Sequence, residues 1–286
     1  MILPRPIRNL LILSPFIFLG TSFFLLLLNP NELYWPYNFW GEFIRIWKKS
    51  YWFFISLGVI FWARKKGWAS KWVEILESVK ERNFLIGTLM LAAVPRLLWV
   101  LWSDNQPFSD GLVYWNIAKH IAAGKGFSID GMTPSAATAP AYPFYLAQLI
   151  RLFGENLLPV KLSHVILSAS VPFLTYLLAR NIFGKPTSIL ATLFIAFCPN
   201  AILGTSLFMN EHIYLPVTLS AILILVMDLK KPGWVKLILA GIFLGLSDLS
   251  RGVFFLFPFT LLLFYLVAGK SIVQSLAKTV IVLAAA

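Results

Sequence analysis

Tyr142-Pro143-Phe144-Tyr145-Leu146-Ala147-Gln148-Leu149-Ile150-Arg151-Leu152-Phe153 is the stretch whose course decides how the rest of the chain is threaded. Pro143 stands where a helix start tolerates proline, Gly154 closes the segment, and Leu146, Leu149, Ile150 and Phe153 recur at helical spacing. At about 1.5 Å per residue the helix reaches roughly 18 Å, too little to cross about 30 Å of hydrocarbon unaided. The neighbouring charges give the same reading. If the segment crossed a bilayer, the loops holding Arg180/Lys185 and Lys230/Lys231/Lys236 would both fall outside. Lys and Arg favour the cytoplasmic face, and both loops fall inside when the segment only lies in the interface. It is therefore expected to be a juxtamembrane helix.

A bilayer enters because composition demands one. With 59% hydrophobic and 16% aromatic residues the chain exceeds what a soluble core requires. Several apolar runs approach or exceed the length of a crossing helix, and no strand-like alternation suggests a barrel. The expected fold class is all-α, a polytopic transmembrane helix bundle. The net charge of +12 would suggest nucleic-acid binding in a soluble protein. Here the basic residues cluster in short loops beside apolar runs, so the expected partner is the lipid bilayer with its anionic headgroups and not nucleic acid. A single cysteine, Cys198, excludes an intrachain disulfide and argues against a thiol zinc site.

Two domains are expected. Residues 1–83 form an N-terminal membrane segment with spans at 10–28 and 51–63, an outer belt at Tyr34, Trp35, Tyr37 and Trp40, and a basic cytoplasmic loop from Arg64-Lys65-Lys66 onward. Residues 84–286 form the main bundle. Its first span, 84–102, contains Pro95 and Arg96, and Arg96 is expected to snorkel outward. The loop 103–158 follows on the outer side. Further spans are expected at 158–179, 187–208 and 213–227, then a hairpin over 237–268 broken at Asp248-Leu249-Ser250-Arg251-Gly252. A new apolar run starts after Lys270 and Lys278 and stops at Ala286, as in a truncated chain.

Polar groups stand out against this background, foremost in Pro107-Phe108-Ser109-Asp110-Gly111-Leu112-Val113-Tyr114. Ser109 is a candidate N-cap, Asp110 lies in the first turn of an amphipathic helix over 110–123, and Tyr114 follows one turn later. On the expected threading Asn210-Glu211-His212 and Arg251 share the outer side with Asp110. His120, His164 and His212 are scattered, and His164 in its apolar helix reads as a packing residue. Asp104, Asn105 and Gln106 would, with Asp110, offer oxygen ligands to a divalent cation, although such groups in an external loop are usually just solvated. No metal cluster is expected.

These segments resemble, in order, the C-type (GT-C) superfamily of integral membrane glycosyltransferases, in particular its family 39, which includes protein O-mannosyltransferases and aminoarabinose transferases. Ser109-Asp110-Gly111-Leu112-Val113-Tyr114 with Gly124-Lys125-Gly126-Phe127 resembles the family's acidic first external loop. Ala139-Pro140-Ala141-Tyr142-Pro143 with Leu152-Phe153-Gly154 resembles its second juxtamembrane helix. Lys161-Leu162-Ser163, Met209-Asn210-Glu211 and Leu249-Ser250-Arg251 follow. The resemblance implies transfer of a sugar from a polyprenyl-phosphate donor to a lipid, glycan or protein acceptor on the extracytoplasmic face of a cell membrane.

Within that scheme Asp110 is the expected catalytic base and Glu211 a second catalytic acid that tunes it or positions the acceptor. Lys161 or Arg251 would stabilise the departing phosphate, and Tyr114 and His212 would contact substrate. Simpler readings stand beside these. On these, Asp110 only stabilises a helix N-terminus, Lys161 only anchors at the interface, Tyr114 only packs, and Arg251 only pairs with Asp248. The chain departs from the family where Gly111 stands in place of the second acid some relatives carry. A membrane transporter or lipid flippase, or an inactive glycosyltransferase fragment, are the competing readings.

Overall fold

The computed structural model describes residues 68–286 apart from 137 and 253–256, and every regular element among them is helical. The expected spans at 10–28 and 51–63, the aromatic belt and the 64–66 cluster lie outside the described residues. The chain divides into two compact units, Met1–Ser78 and Val79–Ala286. In the first, the described element is α1 (Trp68–Ser78), with Glu74 and Glu77 exposed.

The second unit contains α2 (Glu81–Trp102), α3 (Asp110–Ala122), α4 (Ala141–Phe153), α5 (Leu157–Ile182), α6 (Lys185–Ala196) and α7 (Pro199–Leu203). After a 3-10 turn at Gly204–Ser206 come α8 (Glu211–Lys230), α9 (Trp234–Arg251), α10 (Phe257–Val267) and α11 (Ile272–Ala285). Among the described residues, α2, α5 and α8 are long and apolar enough to cross a membrane, and the bent pair Lys185–Ala196 and Pro199–Ser206 would make a fourth span. The unit is an all-α multi-pass membrane bundle.

Polar contacts mark its two ends. At one, Arg180 pairs with Glu81 at 2.8 Å and Lys230 donates to Asn181 at 2.9 Å, joining the start of α2 to the ends of α5 and α8. At the other, the Lys161 amine donates to the Ser103 carbonyl at 3.4 Å, Asn105 donates to Ser206 at 2.6 Å, and Arg251 pairs with Glu211 at 2.5 Å. Helices α2 and α5 are thus antiparallel, and the segment between them, with α3 and α4, leaves and returns at the same end. That is the arrangement expected of a juxtamembrane pair.

Helix α4 buries Tyr142, Leu146, Ala147 and Ile150 against Trp115, Ile117, Ala118 and Ile121 of α3, Val160 of α5 and Phe208. Burial of each large aliphatic chain there contributes about 1.5–3 kcal/mol. Phe153, expected on the same stripe, is 56% exposed.

Three expectations need correction. The first concerns Arg96, which meets the expected span over 187–208 where it bends by 50° between α6 and α7. Pro199 supplies no N–H, and its ring would collide with the Ile195 carbonyl in a continuous helix, so the regular helical bonds at the end of α6 are interrupted, Ile195 O turning to the Cys198 amide at 3.3 Å. Arg96 supplies further donors. Instead of snorkelling outward it is fully buried, donating to Ala196 O at 2.9 Å, Ile195 O at 3.4 Å, Ala92 O at 2.7 Å and Ser168 Oγ at 2.9 Å.

The second correction concerns 248–252. Asp248, Leu249, Ser250 and Arg251 form the last turn of α9, and only Gly252, at φ 63°, ends it. Polar side chains do not by themselves break a helix, whereas glycine adopts the left-handed conformation of a C-terminal cap without a Cβ clash.

The third concerns the C-terminal run, which is helical from Ile272, before Lys278, with Ser271 accepting a capping bond from Gln274. Lys278 lies mid-helix and pairs with the fully buried Asp228, which also accepts from the Gly233 amide at 2.9 Å. Helix α11 packs closely on α9 at Gly241 and Gly245, where an added Cβ would overlap Val282 O and Ala286 O. Small residues four apart permit such close packing of membrane helices.

Candidate functional site

Helix α3 begins under constraint. Ser109 occupies its N-cap at φ 49°, the one positive φ among described non-glycine residues, and its side chain makes no capping bond. Asp110 follows, exposed, and its side chain forms no hydrogen bond or ion pair among the described residues. Gly111 is buried against the turn before α8: a Cβ there would lie 2.8 Å from the Phe208 carbonyl oxygen and 2.9 Å from the Phe208 Cβ. A side chain at position 111 therefore has no room.

Glu211 opens α8, where a carboxylate favours the positive end of the helix dipole. Arg251, at the end of α9, reaches it at 2.5 Å and lies 5.6 Å over the Tyr214 ring. Asn210 donates to Ser250 O at 2.9 Å, a second tie between the same two helix ends.

Tyr114 brings these groups into one environment. Burial pushes its phenol above the ordinary range, the Asp110 and Glu211 carboxylates push it further, and the Arg251 guanidinium opposes them. Residues from α3, α8 and α9, far apart in sequence, thus share one electrostatic neighbourhood.

Lys161 and His212 are engaged elsewhere. The Lys161 chain is 5% exposed, bonded to Ser103 O and beside Asp104. His212 is 8% exposed, with Nε2 3.0 Å from Leu207 O and its ring stacked on His164 at 4.0 Å. Two neighbours were missed as site residues from sequence: Tyr142, whose hydroxyl lies 3.0 Å from His164 Nε2, and His164 itself. Tyr142 meets Tyr114 edge-on at 5.3 Å, and burial holds its phenol well above the usual range. A signal was present: Lys161, His164 and Ser168 fall on one face of an apolar helix, a pattern that calls for polar partners.

Beyond α3 the loop around Asp130 is self-contained. Its carboxylate accepts from the Thr133 and Met132 amides and from the Ser128 and Thr133 hydroxyls, holding it well below the usual carboxylate range. His120 Nδ1 ties the loop to α3 at Ser128 O, 2.8 Å away. No three His, Cys, Asp or Glu gather as metal ligands among the described residues. The Asn105 amide donates to Ser206 at 2.6 Å and the Gln106 amide to Asp104 at 3.3 Å.

The arrangement offers an accessible carboxylate, a second carboxylate paired with a guanidinium, and aromatic walls, all at one end of a membrane bundle. Residues 137–286 match the sequence model of the dolichyl-phosphate-mannose-protein mannosyltransferases. The match takes in α4 to α11 with Glu211 and Arg251, while Asp110 precedes it. No curated protein and no solved structure matches the chain. The match spans just over half of the 286 residues and agrees with an all-α membrane bundle, so the chain belongs to the dolichyl-phosphate-mannose-protein mannosyltransferase family.

Proposed function

We propose that this membrane glycosyltransferase takes its sugar from a polyprenyl-phosphate donor and passes it to an acceptor at the extracytoplasmic face, with Asp110 as catalytic base. The observation that carries the reading is geometric: Gly111, next to Asp110, packs against Phe208, three residues before Glu211, which pairs with Arg251 at 2.5 Å. They lie at the end of the bundle away from the Glu81–Arg180 and Asn181–Lys230 contacts, the end that keeps Lys230 and Lys231 at the cytoplasmic face.

The donor's lipid tail stays in the bilayer while its charged phosphate sits at the interface, so the reaction needs a lateral apolar entrance beside the polar cluster. The acceptor hydroxyl or amine attacks the anomeric carbon as the bond from that carbon to the phosphate oxygen breaks. Asp110 takes the proton, and the lipid phosphate leaves with the electron pair of the broken bond. Arg251, exchanging part of its pairing with Glu211, stabilises that phosphate. Glu211 returns to Arg251 when the phosphate departs, and Tyr114 lines the sugar's side of the cleft.

Membranes containing the full chain, incubated with labelled polyprenyl-phosphate sugars, test the assignment. Asp110→Asn should lower transfer by about 10²–10⁴-fold with folding intact. Equal transfer by variant and wild type would remove Asp110 from the chemistry.

A further inference from the structure

His164 is fully buried in α5, yet its neighbours support three residues of the candidate site: Tyr114, Gly111 and Glu211. Its Nε2 lies 3.0 Å from the Tyr142 hydroxyl, its face stacks on His212 at 4.0 Å, and its edge meets Phe208 at 5.7 Å. Each neighbour is one step from a cleft residue. Tyr142 packs edge-on against Tyr114. Phe208 closes over Gly111, leaving no room for a Cβ, and so fixes the backbone that carries Asp110. His212 is joined by a peptide bond to Glu211 and is pinned to Leu207 O.

The ring is not a self-sufficient packing unit. Its Nδ1 is buried without a hydrogen-bond partner of good geometry, although the Thr205 backbone lies beside the ring. Leaving a polar atom in that condition costs stability that an apolar ring of similar size would not forfeit. A residue kept for packing alone would more naturally be phenylalanine.

We infer that His164 is a positioning residue for the proposed transfer: through Tyr142, Phe208 and His212 it fixes Asp110 and Glu211 relative to one another without touching substrate. The inference rests on the reading of Asp110 as base. A misplacement of about 1 Å at a reacting group is enough to slow chemistry about a hundredfold, so a support one layer behind the cleft can control rate.

The test uses the full chain in membranes, with kcat and KM for a polyprenyl-phosphate sugar and the thermal midpoint measured together. His164→Phe keeps a ring but loses the bond to Tyr142, and Tyr142→Phe loses the same bond from the other side. Each should lower kcat by about ten- to a hundredfold with KM unchanged. The double variant should be no slower than the worse single one, because both remove one interaction. Unchanged kcat per folded molecule in both singles, or losses that multiply in the double, would overturn the inference. Tyr142→Phe carries the test if His164→Phe does not fold.

A second readout needs no catalysis. In a Cys198→Ser background, the rate at which a short bifunctional thiol reagent joins Ser109→Cys to Met209→Cys reports how the two loops are held. His164→Phe should change that rate, and an unchanged rate counts against positioning. Asp110→Asn, run alongside, separates the two ideas. Wild-type transfer by that variant overturns the base assignment whatever the cross-link shows. Lost transfer there, with normal kcat and cross-linking in the His164 and Tyr142 variants, overturns positioning alone.

Discussion

Gly111 illustrates how closely one residue is held in the cleft. The Phe208 carbonyl stands 2.8 Å from where a Cβ would be, and backbone cannot swing aside as the end of a flexible side chain can. Gly111→Ala should therefore push the start of α3 away from Phe208, costing about 1–3 kcal/mol and lowering transfer by moving Asp110. Leu112→Ala, at a position 45% exposed, should change stability by no more than about 0.5 kcal/mol. Thermal midpoints and transfer rates for the two variants make the comparison, and an alanine at 111 that behaves like wild type would mean that α3 yields freely. At this scale the sequence was partly legible. Acids interrupting hydrocarbon draw attention to themselves, so Asp110 and Glu211 could be singled out. What lies opposite a residue was not legible, because Phe208 reaches Gly111, and His164 reaches Tyr142, only after several helices have packed.

Among the elements, the α6–α7 pair carries a 50° bend that hydropathy does not reveal. A run of apolar residues with a proline in it looks like one straight span, since composition does not say which donors meet the carbonyls beside the proline. Arg96 meets them from a helix about a hundred residues away, as its hydrogen bonds to Ile195 O and Ala196 O attest. It has no carboxylate partner in the bonds it makes, only carbonyls and the Ser168 hydroxyl, so its charge is balanced by the negative end of the α6 dipole. Arg96→Leu should cost roughly 2–4 kcal/mol by removing donors from buried carbonyls. Arg96→Lys should cost less, since an ammonium reaches fewer of these acceptors than a guanidinium fork. Thermal midpoints in lipid nanodiscs read the order wild type, lysine, leucine. A leucine variant as stable as wild type would show that the bend is held without the arginine. Helix α9 was misread for a related reason: the run Asp248 to Arg251 looks like a turn by polarity, yet glycine alone ends the helix.

For the molecule as a whole, threading was the most legible property, because it depends on sums of charge and length and not on individual contacts. A segment too short to cross and lysines that favour one face predicted that α3 and α4 leave and return at the same end. The bonds Lys161–Ser103 and Asn105–Ser206 at one end, and Arg180–Glu81 and Lys230–Asn181 at the other, describe that bundle. Contacts within a bundle leave open which end faces the cytoplasm, so the orientation rests on Lys230, Lys231 and Lys236, which lie together at the turn between α8 and α9. The consequence is measurable in sealed membrane vesicles with a Cys198→Ser background and a membrane-impermeant thiol reagent. Ser109→Cys should react only from the extracytoplasmic side, and Lys231→Cys only after the vesicles are opened or inverted. Both positions are exposed, so a failure to label reports sidedness and not burial. Reaction of both from the same side would break the antiparallel threading, and exchanged sides would turn the proposed base toward the cytoplasm, where the acceptor would have to be sought.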